Sequence, residues 1–68
     1  MDYQLHFASR DEALELLHAV ALFYKNKPRH PTIEVSDNTL VVPDFVMGQL
    51  EFIAKKEDIL YNSQPVRN

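Results

Sequence analysis

The 68-residue chain contains no cysteine and a single glycine, and each shortage closes off a class of protein. Without cysteine there is no disulfide, and a structural zinc would have to be held by histidine and carboxylates alone. One glycine rules out the glycine-rich loops that cradle phosphates. No stretch approaches the roughly 18 uninterrupted apolar residues of a membrane span. The opening Met1-Asp2-Tyr3-Gln4-Leu5-His6-Phe7 has neither the basic segment nor the apolar run of a secretory signal. Internal repeats and low-complexity tracts are absent too. These absences lead us to expect a cytoplasmic protein. A chain this short makes one domain at most and buries only about 60% of the surface its unfolded form exposes. Domains of that size commonly lean on a staple or a partner, and with disulfides excluded a partner is the expected aid.

What is present is an acidic body with one basic corner. Ten acidic residues face seven basic ones, and three of the seven, Lys25, Lys27 and Arg29, fall within five positions beside His30. Nonspecific binding of a phosphate backbone needs several cations on one face, so the overall balance argues against it. The corner itself remains a candidate contact for an anion or single-stranded nucleic acid, with Tyr24 available to stack on a base. The competing account is a solvated helix end whose lysines answer the helix dipole and whose prolines, Pro28 and Pro31, stop the helix.

Residues 1 to 8 alternate, with Met1, Tyr3, Leu5 and Phe7 on one side and Asp2, Gln4 and His6 on the other, the pattern of a half-buried strand. Ser9-Arg10-Asp11-Glu12 is a capping box and predicts a helix directly after it. Ala13, Leu14, Leu17, Val20, Ala21 and Tyr24 form its expected inner face, while Ala19, Leu22 and Phe23 make its last turns apolar nearly all round. Asp37-Asn38 separates Thr32–Ser36 from Thr39–Val42, which predicts a hairpin with a two-residue type I′ turn pairing Val35 with Leu40 and Ile33 with Val42.

Residues 45 to 61, FVMGQLEFIAKKEDILY, place three apolar triplets at a seven-residue spacing. The favoured reading is a helix from Asp44 to about Tyr61, with Val46, Leu50, Ile53 and Leu60 inward and Phe45, Phe52 and Ile59 on a second line. Gly48 counts against it, and a strand over 49–54 followed by a Lys-Lys-Glu-Asp turn is the alternative. The expected fold is therefore α+β, a small two-layer βαββα domain over 1–61 with a three-stranded antiparallel or mixed sheet covered by two helices. Residues 62–68 are expected to be an irregular tail.

Each helix can offer one stripe to so small a sheet, which leaves Leu22, Phe23, Phe45, Phe52 and Ile59 without cover. Burying each such side chain is worth about 1.5–3 kcal/mol, so these five are the expected partner-binding surface. The helices packing on each other would be the internal alternative. His6, His18 and His30 fit no metal-ligand spacing, and Asp11, Glu12 and Ser9 are explained by capping. No catalytic group, metal or cofactor is expected. The function expected is a small interaction module, a homo-oligomer or an accessory or regulatory subunit, using its apolar helix surfaces. Nucleic-acid binding through Lys25, Lys27, Arg29 and His30 is the alternative.

Overall fold

The alternation of residues 1 to 8 becomes the central strand of the sheet. A computed structural model describes residues 1–66, with β1 (Asp2–Phe7), α1 (Arg10–Tyr24), β2 (Glu34–Ser36), β3 (Thr39–Pro43), a 3-10 turn (Asp44–Val46), α2 (Met47–Glu57) and β4 (Tyr61–Pro65). The sheet order is β2-β3-β1-β4, with every neighbouring pair antiparallel. This is α+β, as expected, but with four strands in the split-βαβ order and not three in a βαββα layout. The missing strand is β4, drawn from the last expected helical residue and the expected irregular tail; Arg67 and Asn68 lie outside the described residues.

One face of the sheet carries the core. Leu5 and Phe7 of β1 and Leu40 and Val42 of β3 are buried with Ala13, Leu16, Val20 and Tyr24 of α1 and with Val46, Leu50, Ala54 and Ile59. The other face, including Gln4, His6, Thr39, Val41, Asn62 and Gln64, carries no Phe, Tyr or Trp among the described residues, and the His6 imidazole is its one aromatic ring there. A short axis of 18 Å accommodates one sheet and one helical layer.

Ser9 caps α1 as its sequence predicts, its side-chain oxygen accepting from the Glu12 amide at 3.2 Å. The buried stripe, however, is rotated by about 50° from the expected one, at 100° per residue: Leu16 is buried, whereas Leu14 and Ala21 are exposed. The hairpin forms in the expected register, Val35 opposite Leu40, although its ladder begins at Glu34 and so excludes Ile33. Positive φ occurs at Asp37 (54°) but not at Asn38, so the turn is not type I′. Asn38 instead holds β1: its carbonyl accepts from the Phe7 amide at 3.0 Å, and its side-chain Nδ2 donates to the Phe7 carbonyl at 2.7 Å.

The second helix ends four residues before Tyr61. Asp58 takes the left-handed conformation at φ 58°, ψ 44°, and the amide of Ile59 donates back to the Ala54 carbonyl at 2.9 Å. This is a Schellman-type stop, which is completed by an apolar contact from the residue after the left-handed one. Ile59 therefore turns into the core beside Ala54, and the chain leaves as β4. Pro65 is tolerated because β4 is an edge strand.

Candidate interaction surface

Helix geometry places Leu22 on the side of α1 away from the sheet, Phe23 on the flank of α1 and Phe52 on the outer face of α2. Leu22 is 57% exposed, Phe23 37% and Phe52 66%. The three line one groove of about 400 Å³ between the helices, whose lining is completed by Ala19, Gln49, Ile53, Lys56 and Glu57. Three of the five residues expected to bind a partner are thus brought together and left open.

The other two are not. Ile59 is 5% exposed because the left-handed Asp58 breaks the helical line on which it was placed. Phe45 lies in the 3-10 turn, packed against the core. Its ring stands edge-on to Tyr24 at 6.0 Å, and the Arg29 guanidinium covers it at 3.8 Å from the centroid. Both side chains stabilise the fold from within.

The basic corner is drawn onto aromatic surface. Lys27 Nζ lies 5.0 Å from the Phe23 centroid, and Arg29 sits over Phe45 as described. Tyr24, the expected base-stacking residue, is buried between Phe23 and Phe45. Lys25 and His30 are exposed, and the recess beside His30 and Arg29 is also lined by Asp2 and Glu34. Positive and negative groups therefore share this end of the molecule.

The three histidines stay apart. His6 is on the open sheet face with Nδ1 3.3 Å from Thr39 Oγ1, His18 is exposed on α1, and His30 is in the loop. Among the described residues no three His, Asp or Glu side chains are grouped to hold a metal. No helix among them is long and apolar enough to cross a membrane.

A second groove, of about 480 Å³, separates α2 from β4 and is lined by Gly48, Glu51, Phe52, Ala54 and Lys55 of α2 and by Ile59, Leu60 and Tyr61. Burial raises the Tyr61 hydroxyl above its ordinary value of 10.0, and the Glu51 carboxylate adds to the shift. Leu60, 83% exposed, stands at its rim. Sequence reasoning missed this side of the molecule because Leu60 fell on the expected inner line of a helix that has already ended.

The chain matches no protein-family model, no curated protein and no solved structure. The split-βαβ order serves unrelated activities, so function rests on the surfaces alone.

Proposed function

We propose that the protein is a small cytoplasmic interaction module, an accessory or regulatory subunit, that receives an apolar stripe of another protein chain in the groove between α1 and α2. The observation that carries this reading is the convergence of Leu22, Phe23 and Phe52, exposed, on one groove beside half-buried Ile53, while Leu50 of α2 faces inward. An amphipathic helix laid in such a groove would cover all three, and Lys56 and Glu57 would set its direction. The absence of cysteine fits a reducing compartment.

The test uses a photo-crosslinking residue at position 52 and, separately, the double variant Leu22→Ser/Phe52→Ser. A specific protein crosslinked at position 52, and lost in competition with the wild-type chain but not with the double variant, supports the groove. Equal competition by both chains refutes it.

Nucleic-acid binding through Lys25, Lys27, Arg29 and His30 has the weaker support. Two of its cations rest on aromatic rings, and among the described residues the open sheet face offers no Phe, Tyr or Trp for bases to stack on, only the single His6 ring. Retention on a DNA column that falls steeply with salt would favour it over the apolar groove.

A further inference from the structure

The two edges of the sheet are built differently. β2 is three residues long and carries Glu34, both of which discourage pairing with another chain. β4 is five residues long, Tyr61-Asn62-Ser63-Gln64-Pro65, with no charged side chain. Only Pro65, at its end, limits it.

Hydrogen bonding shows which groups of β4 face outward. The amide of Val66 donates to the Asp2 carbonyl at 2.8 Å, while Asp44 and Phe7 bond across the opposite side of β1, to Met1 and Asn38. Antiparallel bonds alternate along a strand, so Asp2, Gln4 and His6 of β1 bond to Val66, Gln64 and Asn62. The backbone groups of Tyr61, Ser63 and Pro65 then point away from the sheet. Pro65 occupies one of these outward positions, where its missing N–H breaks no bond to β1.

We propose that this edge pairs antiparallel with the same edge of a second copy of the chain, about a two-fold axis at Ser63, joining two four-stranded sheets into one of eight. In that register every outward donor of β4 has an acceptor. The Ser63 N–H donates to the Ser63 carbonyl of the second copy, and the Tyr61 N–H to its Pro65 carbonyl. Pro65, which supplies no donor, is opposite Tyr61, whose amide bonds to the Pro65 carbonyl and whose own carbonyl is left to solvent. Asn62 comes opposite Gln64, extending across the axis the row in which Gln64 Nε2 donates to Gln4 Oε1 at 3.2 Å. No like charges meet between the paired β4 strands, and the two-fold closes the interface on itself, leaving only the short β2 edges at the ends of the joined sheet. The pairing uses the backbone edge of β4, whereas the helix groove is lined by side chains of α1 and α2; Phe52 is the residue that borders both that groove and the one beside β4.

The experiment measures absolute mass by light scattering over a hundredfold dilution series, on the wild-type chain and on Ser63→Pro. The substitution removes the central outward donor and spares the bonds to β1. The expected result is a wild-type mass twice that of the chain and a folded Ser63→Pro monomer. A second pair of variants uses the lack of native cysteine. Directly bonded antiparallel residues have Cα atoms about 5.5 Å apart, within disulfide range, so Ser63→Cys is expected to crosslink at least tenfold faster under mild oxidation than Ser36→Cys on the other edge. A wild-type monomer at every concentration overturns the proposal, as does a dimer that survives Ser63→Pro but dissociates in Phe52→Ser. Should Ser63→Pro unfold, the cysteine pair decides: equal crosslinking rates refute the β4 pairing.

Discussion

The amide of Ile59 closes on the carbonyl of Ala54 at 2.9 Å, and this bond converts what reads as one long helix into a helix followed by a strand. It requires Asp58 to sit at φ 58°, where a side chain is disfavoured and where a carboxylate faces the negative end of the helix. Asp58→Gly should therefore stabilise the protein by about 1 kcal/mol, raising Tm by about 4–8 °C for a domain of this size. Asp58→Val should lower it. Calorimetry on the three chains checks both directions.

Ile59 and Phe52 lie on the same apolar line in the sequence yet should respond oppositely to truncation. Ile59→Ala removes a buried side chain and is expected to cost about 2–4 kcal/mol. Phe52→Ala, at an open groove, should stay within about 1 kcal/mol. Urea denaturation of both variants, with unchanged m-values, measures the difference.

Gly48 lies in α2 with negative φ, and a methyl group built on it meets no atom within 4 Å. Nothing in its surroundings demands glycine. Gly48→Ala is expected to add about 0.4–1 kcal/mol, through the reduced freedom of the unfolded chain. Thermal melting followed by circular dichroism checks it.

The Tyr61 hydroxyl provides a pH prediction. Its folded value is raised above 10.0, chiefly by burial and then by Glu51, so folding favours the neutral form. That contribution is complete below the unfolded value and disappears as pH rises through the folded one; stability should therefore fall above about pH 10. Glu51→Gln should lower the Tyr61 titration midpoint without bringing it back to the ordinary value, because burial remains. Carbon-13 chemical shifts of the labelled tyrosine ring, resolved from Tyr3 and Tyr24, follow it directly.

Elements with a local chemical signature were legible in the sequence. Alternation identified β1, Ser9 identified the start of α1, and Asp37-Asn38 identified the hairpin and its register. β4 had no such mark: Tyr61-Asn62-Ser63-Gln64-Pro65 holds one aromatic and no aliphatic residue, and it becomes a strand because β1 offers it a ladder. The stop at Asp58 was equally obscure, since glycine is the usual residue there and aspartate after Lys-Lys-Glu reads as more helix. That single misread residue explains why Ile59 and Leu60 exchanged their expected places, Ile59 inside and Leu60 out. Phe45 was misplaced for a related reason: the 3-10 turn before α2 shifts it onto Tyr24 and Arg29. Leu22, Phe23 and Phe52 were legible as surplus because they sit within regular helix, where 100° per residue holds.

The position of β1 at the centre of the sheet also governs the order of assembly. Its neighbours are β3 and β4, and the pair Tyr3 and Pro65 joins residues separated by nearly the whole described chain. Such distant pairings slow folding, because a large loop must close before any of them forms. During synthesis, β1 leaves the ribosome before β2, β3 and β4 and has one side unpaired until β4 follows. Until then, the amides and carbonyls that later bond to Asn62, Gln64 and Val66 present a bare strand edge, and the nascent chain is most exposed to wrong partners in that interval.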